Sequence, residues 1–236
     1  MTIARLVSLV ITLIVLAGVD AHANLITNGS FENTNNTFVG DVNRVDELLS
    51  GSTVISGWTT TNGTQTAWIE NGNPYNIPAA DGQFFLDLTG YADVGTYGGV
   101  TQSFATVSGT SYVATFDLGY GGNSGFFGGP VSVRATAAGT SSTFTSGAGA
   151  PNPAVWDLET FNFTATSSLT QLTIIGLTTR GGEYIGLDNV NVALANSAVP
   201  EPVYAPLLAV IGLLGYAAWR RRGGAAPPTA ASRWRP

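Results

Sequence analysis

The sequence predicts an all-β domain, a sandwich of two antiparallel sheets, over residues 24–196. Two observations carry this prediction. The segment consists of short runs in which apolar and polar residues alternate, and it is rich in Gly, Thr, Ser and Val. It also lacks helical periodicity, apart from a possible helical turn at Val45–Leu49. About ten such strands in one domain fit two packed antiparallel sheets.

The alternating runs locate the strands and their buried faces. On one strand the alternating residues Phe116 and Leu118 mark the core face, and Phe161 and Phe163 mark it on another. The glycine-rich segments 120–130 and 146–153 are predicted to be loops. The predicted strands are Leu25–Phe31, Thr53–Trp58, Thr66–Glu70, Gln83–Thr89, Val100–Thr106, Tyr112–Tyr120, Val131–Ala137, Ser141–Thr145, Leu158–Thr166, Leu169–Leu177 and Leu187–Leu194.

The composition excludes several kinds of function. The chain has no cysteine and no lysine, and its single histidine, His22, precedes the predicted domain. Catalysis by Ser-His-Asp or Cys-His groups and zinc bound by histidine are therefore excluded for the domain. From Asn24 to Ala198 there are 13 carboxylates against three arginines, a net charge of −10. Such an acidic surface repels phosphate backbones, so nucleic acid is not an expected partner.

The first 23 residues have the features of a secretory signal peptide. Arg5 supplies the positive end, Leu6–Val19 is the apolar region, and Ala21 and Ala23 form a small-x-small cleavage site. We predict that signal peptidase cleaves before Asn24. The alternative is an uncleaved membrane helix at the amino terminus.

The segment 197–222 has the features of a membrane anchor. The 17 residues from Val203 to Trp219 carry no charge, which is close to the length that a spanning helix needs. The cluster Arg220, Arg221 and Arg222 follows directly and is expected to stay on the cytoplasmic side, so that the preceding domain faces outward. Residues 223–236 are expected to be a disordered tail.

The order of elements in this anchor resembles a known sorting signal. The motif Val199, Pro200, Glu201 and Pro202, followed by the apolar segment and the arginines, resembles the PEP-CTERM signal of Gram-negative bacteria. The resemblance implies export across the inner membrane, recognition of Pro200, Glu201 and Pro202 by exosortase, and delivery to the cell envelope, surface or exterior after transient anchoring. The alternative is an ordinary single-pass anchor that is never cleaved.

The domain contains six short motifs whose order along the chain is informative. They are Asn24-Leu25-Ile26-Thr27-Asn28-Gly29-Ser30-Phe31-Glu32, Ser56-Gly57-Trp58, Asp81-Gly82-Gln83-Phe84-Phe85-Leu86-Asp87-Leu88, Val100-Thr101-Gln102-Ser103-Phe104, Tyr112-Val113-Ala114-Thr115-Phe116 and Ile185-Gly186-Leu187-Asp188-Asn189-Val190-Asn191-Val192. In this order they resemble the galactose-binding-like jelly rolls, which include many carbohydrate-binding modules. With its anchor the domain is similar to the bacterial choice-of-anchor C group.

A calcium site is predicted where the first and last strands meet. Asp188 shares its parity with Val190 and Val192, so alternation places it on the inward face. With flush antiparallel pairing, Glu32 lies opposite Asp188, and both carboxylates with the carbonyl of Ser30 suit a structural Ca²⁺. The resemblance implies a structural calcium at the same place. The alternative is that Glu32 caps a turn while Asp188 accepts hydrogen bonds from backbone amides.

Aromatic side chains are the candidates for sugar binding, because sugar rings stack on flat aromatic faces. The carbohydrate-binding candidates are Trp68, Tyr75, Tyr97, Phe126, Phe127 and Trp156, with Tyr91 as a further loop residue. Trp58 ends a predicted strand and is expected in the core.

Three functions are compatible with these features. The first is a non-enzymatic exported protein that binds polysaccharide through its sandwich. The second is a structural surface or matrix protein that acts by protein contacts and has no sugar site. The third is a glycosidase using carboxylates such as Asp81 and Asp87, but Asp87 is expected at a solvated edge and Asp81 in a flanking loop, so no catalytic residue is assigned.

Overall fold

The computed structural model describes residues 24–91, 96–178 and 184–195. These residues form eleven strands and one 3₁₀ turn, Asn123–Gly125. The strands in chain order are β1 Val45–Leu49, β2 Thr59–Asn62, β3 Gln65–Glu70, β4 Phe84–Asp87, β5 Gly98–Ala105, β6 Ser111–Tyr120, β7 Ser132–Ala137, β8 Thr140–Thr145, β9 Val155–Thr164, β10 Leu169–Thr178 and β11 Gly186–Leu194.

The strands form two sheets. One has six strands in the order β1-β3-β4-β11-β6-β9, and the other has five in the order β2-β5-β10-β7-β8. All of the pairings are antiparallel. The prediction of an all-β sandwich of two antiparallel sheets is therefore confirmed.

The main core lies between the two sheets. On β6 the alternating residues Phe116 and Leu118 are fully buried, as are Leu172 and Ile174 on β10 of the other sheet. Burial of each such side chain stabilises the fold by about 1.5–3 kcal/mol. Trp58 is also buried there, as expected, and its indole donates a hydrogen bond to the carbonyl of Asn28.

The amino-terminal segment differs from its prediction. Leu25–Phe31 is not a strand, although it runs along β11: the Leu25 amide donates to Val192 O at 2.8 Å, and Val190 N donates to Gly29 O at 2.9 Å. At Gly29 the two backbones are so close that a β-carbon would lie 1.9 Å from Val190 O. This close approach, and the positive φ of 59° at Phe31, interrupt a regular ladder.

Two further predictions near the start of the domain were wrong. Val45–Leu49 is the edge strand β1 and not a helical turn, because it pairs with β3 along its whole length. Thr53–Trp58 is not a strand; it makes one isolated bridge, Thr34 to Ile55, and β2 begins at Thr59. Gly57, with φ of 85°, turns the chain just before β2.

A β-bulge in β11 moves Asp188 away from its predicted face. Asp188 pairs with Asp117, whereas Asn191 pairs with Thr115, so β11 has one residue more than β6 between these positions. Asn189 takes the positive φ of 49° inside the bulge. The extra residue reverses the alternation, so Asp188 lies on the outer face of the sheet while Val190 points into the core. The predicted inward face was therefore wrong.

The predicted targeting segments lie outside the described residues. This applies to the signal peptide with Ala21 and Ala23, and to the sorting motif Val199–Pro202 with the helix and arginines that follow. Within the described ranges, no helix has the length and apolar character needed to span a membrane.

Candidate functional site

A second apolar cluster lies on the outer face of the six-stranded sheet, the face turned away from the five-stranded sheet. Val45 on β1, Ala67 and Ile69 on β3 and Phe85 on β4 are buried in it. These residues alternate with the core-facing ones, so β3 and β4 are buried on both sides. An apolar outer face is stabilised when it is shielded from water, and the loops before β4 and after β6 pack over this one.

Aromatic side chains from these loops form the wall of a cleft. Tyr75 and Phe127 are half-buried, and their ring centres lie 5.9 Å apart at an interplanar angle of 47°. Tyr91, 44% exposed, completes the wall. The cleft has a volume of about 160 Å³ and is lined by Val45, Ala67, Ile69, Tyr75, Ile77, Asp87, Gly90, Tyr91 and Phe127.

Three carboxylates accompany these aromatic rings. Asp87, 6% exposed, lines the cleft, and its Oδ1 accepts hydrogen bonds from Thr89 N, at 2.9 Å, and Ile185 N, at 3.0 Å. Glu47 Oε1 accepts from the Tyr91 amide at 2.7 Å. Asp41 Oδ2 accepts from the Tyr91 hydroxyl at 2.8 Å. The expectation that Asp87 lies at a solvated edge was wrong, because loops cover the outer face of β4.

The hydrogen bond between Tyr91 and Asp41 fixes the protonation of both groups. Burial, together with the neighbouring Asp41 and Tyr75, raises the pKa of Tyr91 above its usual value. Desolvation acts to raise the pKa of Asp41, but hydrogen bonds from Tyr91, Val45 and Asn43 lower it overall. At neutral pH the cleft is therefore bordered by a neutral phenol that donates to an ionised carboxylate.

The structure brings some of the predicted sugar-binding residues together at this cleft. Tyr75 and Phe127 line it. Phe126 stands beside Phe127, with ring centres 6.1 Å apart, and is 67% exposed, although it does not line the cleft. Trp156 packs edge-on against Phe85, and its indole donates to Pro78 O at 2.9 Å, so it supports the covering loop.

Trp68 and Tyr97 lie elsewhere. Trp68 is 1% exposed in the main core, packs against Phe84 and Phe38, and donates to Phe31 O, so the expectation of a displayed ring was wrong. The reason is that Trp68 occupies the core-facing side of β3, between Ala67 and Ile69 on the outer side. Tyr97 is half-buried against the main core.

The predicted calcium ligands lie around the loop before β4, with Asp188 on the interior strand β11. Glu32 Oε1 accepts hydrogen bonds from the amides of Gln83, at 2.7 Å, and Phe84, at 2.8 Å. Asp188 Oδ2 accepts from the amides of Ala80, at 2.8 Å, and Asp81, at 3.0 Å. Backbone amides in and next to the loop before β4 thus donate hydrogen bonds to both carboxylates. This matches the alternative to calcium, in which Glu32 caps a turn and Asp188 accepts hydrogen bonds from backbone amides. The Ser30 hydroxyl donates a hydrogen bond to Asp81 Oδ2 at 2.6 Å.

These amides only partly compensate for the burial of Asp188. The residue is fully buried, and desolvation raises the pKa of its carboxyl to about 7, despite hydrogen bonds from Asp81, Asn189 and Ala80. Asp117 opposite contributes to this rise, and burial raises the pKa of Asp117 as well. In the part of the chain that the structure describes, no three His, Cys, Asp or Glu side chains converge on one ion position. Calcium at these residues stays a prediction.

Sequence reasoning missed the role of Asp87 and Glu47 and did not commit to Tyr91. Asp87 had the parity of the outer face, as expected, but its burial depends on loops that are distant in sequence. The position of Glu47 on the outer face was not predicted, because β1 was not identified as a strand. The available signal was the shared parity of Val45 and Glu47, which places both side chains on one face of an extended strand, with Leu48 on the other.

Comparisons with known proteins give one family and several similar folds. Residues 24–183 match the family described as "Protein of unknown function (DUF642)". The chain is 31% identical over 191 residues, 79% of its length, to Halomucin of Haloquadratum walsbyi (strain DSM 16790 / HBSQ001). It spans only 2% of that relative's own length.

Similar solved structures include three carbohydrate-binding modules. One is a family 61 module in complex with β-1,4-galactotriose, with a TM-score of 0.46, 13% identity, and coverage of 73% of this chain and 99% of that chain. A family 22 xylan-binding domain from Paenibacillus barcinonensis has a TM-score of 0.37, 15% identity, and coverage of 69% and 100%. A family 4 module has a TM-score of 0.35, 18% identity, and coverage of 72% and 99%.

Proposed function

Since the chain belongs to the DUF642 family, we propose its function from its own cleft: a non-enzymatic domain that binds polysaccharide at the outer face of its six-stranded sheet. The observation that carries the proposal is the cleft of about 160 Å³ walled by Tyr75, Tyr91 and Phe127. Ligand sites in proteins are concave and mostly apolar, with a few placed polar groups, and this cleft has that composition.

The chemistry of the cleft suits a sugar ring. The faces of Tyr75 and Phe127 offer stacking surfaces for the C–H face of a pyranose, and Asp87 at the same cleft offers a polar contact. Each carboxylate here is already held by protein donors, from Thr89, Ile185 and Tyr91. Such carboxylates orient a ligand, and we therefore propose binding without turnover.

The binding proposal is tested by titrating the purified full chain with a panel of polysaccharides by isothermal calorimetry. The detergent must have no sugar headgroup, because a glycoside detergent would compete. We expect saturable binding to one polymer class and a loss of about tenfold or more for Tyr75→Ala and for Phe127→Ala. Leu158→Ala is the matched control, since Leu158 is exposed on the outer face of the opposite edge strand, β9. Equal affinities for all four proteins would refute the site.

We further propose that the domain works at the cell envelope or outside it. The support is the sequence: a signal peptide over residues 1–23 and the Pro-Glu-Pro signal, apolar segment and arginines over 197–222. Signal peptidase and exosortase would be the processing partners. Mass spectrometry of the protein from its native host is expected to show a mature amino terminus at Asn24 and no peptide from Val203–Arg222. Recovery of that peptide attached to the domain would favour an uncleaved anchor.

A structural calcium is proposed at the site predicted from Ser30, Glu32 and Asp188. The raised pKa of the buried Asp188 carboxyl supports this, because a cation beside it would offset the burial. The ion would be held by Asp188, Glu32 and the Ser30 carbonyl and would supply positive charge between the termini of the domain. A chelator is then expected to lower the melting temperature of the full chain, and an unchanged melting temperature would refute the proposal.

A structural role through protein contacts is the second candidate, and one surface favours it. The outer face of the five-stranded sheet carries a row of hydroxyl side chains in register across all five strands: Thr59, Thr101, Thr173, Thr136 and Ser141. Neighbours in the row are linked, Thr101 to Thr173 at 3.0 Å and Thr136 to Ser141 at 2.9 Å. If no polysaccharide binds the folded protein, this face is the place to search for a protein partner.

A further inference from the structure

The charged side chains of this domain are divided unequally between its two sheets. All 13 carboxylates between Asn24 and Ala198 lie outside the strands of the five-stranded sheet, which contain one charged residue, Arg134. Two copies of a domain with a net charge of −10 repel each other. The repulsion is smallest where the five-stranded sheet meets solvent, so this sheet is the most favourable place for two copies to meet.

In the part of the chain that the structure describes, the two sheets have four edge strands, and three of them are protected against pairing with another chain. β2 is covered by its own preceding loop: Thr60 N donates to Ser52 O at 2.9 Å, and Thr60 O accepts from Gly51 N at 2.8 Å. β1 and β9 each carry two carboxylates, and charge on an edge strand opposes an incoming strand. These carboxylates are Asp46, Glu47, Asp157 and Glu159.

The fourth edge strand, β8, has none of these protections. Its sequence, Thr-Ser-Ser-Thr-Phe-Thr, contains no charge and no proline. It pairs with β7 along its whole length without a register shift and, among the described residues, with no other strand. Five of its six residues are exposed, and the sixth, Phe144, packs against Phe116 of the core. A straight, uncharged edge of this kind is a template for another strand.

The hydrogen-bond pattern of the β7–β8 hairpin shows which backbone groups of β8 face the open edge. Ser146 N donates to Val131 O at 3.0 Å, so this pair, one step beyond β8, is hydrogen-bonded. Opposite residues in an antiparallel ladder alternate between hydrogen-bonded and non-hydrogen-bonded pairs. Counting from this pair, every second residue of β8 bonds to β7, and those between direct N–H and C=O groups at the open edge. These residues are Ser141, Thr143 and Thr145.

We propose that β8 pairs antiparallel with β8 of a second copy of this chain, about a two-fold axis beside Thr143, so that two five-stranded sheets become one continuous sheet. In this register Thr143 lies opposite Thr143 of the second copy, and Ser141 lies opposite Thr145 of the second copy. Each of these residues directs both its N–H and its C=O group at the open edge, so every such group finds a partner. The edge is therefore complementary to itself, as a two-fold interface requires.

The side chains on the outer face suit this register. β7 and β8 already pair their hydroxyls there, Thr136 with Ser141 and Ser132 with Thr145, each at 2.9 Å. Pairing of the two edges places Ser141 against Thr145 of the second copy, so the row of hydroxyls continues across the axis, and such cross-strand pairs stabilise antiparallel sheets. The two copies of Arg134, on β7, stand three strand spacings apart, about 14 Å, which exceeds the Debye length of about 8 Å.

The test is sedimentation equilibrium of the full chain in detergent over a range of concentrations, where we expect a reversible monomer–dimer equilibrium. Thr143→Lys places two like charges opposite each other and is expected to weaken dimerisation by about tenfold or more. Ser103→Lys is the matched control, because it makes the same charge change at an exposed position on the interior strand β5 and is expected to leave dimerisation intact. Thr143→Pro removes an N–H group that faces the open edge and takes no bond from β7, so it is expected to weaken the dimer as well.

Cross-linking tests the register directly. The chain has no cysteine, so Thr143→Cys carries a single thiol, and a short bis-maleimide is expected to join two copies of it but not two copies of Ser103→Cys. This result also decides the matter if Thr143→Pro does not fold, which circular dichroism would show.

Three outcomes would overturn the proposal. A monomer at all concentrations is one, and equal weakening by Thr143→Lys and Ser103→Lys, which would mean that only net charge matters, is another. A dimer that persists in Thr143→Lys and Thr143→Pro is the third, because it would use another surface. The cleft lies on the other sheet, so Tyr75→Ala is expected to leave the dimer intact, and the inference stands or falls independently of polysaccharide binding.

Discussion

Asp188 makes the stability of this domain depend on pH in an unusual direction. It is a fully buried carboxyl whose pKa is raised to about 7 by desolvation, from an ordinary value of 3.8. Between these values the folded state binds a proton that the unfolded state has lost. Since stability rises with pH only where the unfolded state binds more protons, the contribution of Asp188 falls as pH rises through this window.

The size of the effect follows from the shift. Three pH units at 1.36 kcal/mol each correspond to about 4 kcal/mol, fully present below pH 4 and lost as pH rises through 7. This is a large share of the roughly 5–15 kcal/mol that stabilises a typical domain. Asp188→Asn is expected to remove the decline, because a neutral side chain does not titrate, at some cost in stability from one lost acceptor of the loop amides.

The assay is denaturant unfolding of the full chain from about pH 2 to 8 in the presence of a chelator, a range that covers the titration of both Asp41 and Asp188. Asp41→Asn is the control for the direction of the pH dependence. The pKa of Asp41 is lowered in the folded state, so its contribution to the free energy of unfolding is lost as pH falls, opposite to that of Asp188. A carboxyl titration by ¹³C NMR on the wild type covers the case in which Asp188→Asn does not fold. An NMR pKa near 4, or the same slope in wild type and Asp188→Asn, would refute the reasoning. Added calcium is expected to reverse the trend if the proposed ion binds.

Other changes test the placement of core residues. Trp68→Ala is expected to cost about 3–5 kcal/mol in the free energy of unfolding, because it empties a fully buried site, and Trp68→Phe should cost clearly less. Unchanged stability with loss of polysaccharide binding would instead restore Trp68 as a sugar contact. Gly186→Ala is expected to destabilise by about 1–3 kcal/mol, since its β-carbon would lie 2.2 Å from the Tyr184 hydroxyl and 2.8 Å from Gly119 Cα. Denaturant midpoints measure both, and a neutral Gly186→Ala would contradict the close packing of Tyr184 on this face.

Alternation along each strand made most of the fold predictable. Phe116, Leu118, Phe161 and Phe163 were assigned to the core from period two alone, and they are buried there. Regular strands keep this parity, so no tertiary information is needed. The same rule failed for Asp188, because the bulge inserts one residue and the parity reverses.

The site was predictable only in part. Tyr75 and Phe127 were predicted as sugar contacts because sugar rings stack on aromatic faces displayed on loops, and both line the cleft. Trp68 was wrongly predicted to contact sugar. Because β3 is buried on both faces, its sequence pattern does not show which face meets solvent. Asp87 and Glu47 were overlooked because their environment comes from loops and strands distant in the chain.

The sequence by itself therefore determined the fold class, the position of most strands, the absence of cysteine and histidine chemistry in the domain, and its negative charge. These follow from composition and local periodicity. Only the tertiary structure decided that β1, β3, β4 and two loops meet to form one aromatic, acidic cleft, and that Asp188 is buried beneath the loop before β4. Both depend on contacts between segments far apart in sequence, which no local pattern encodes.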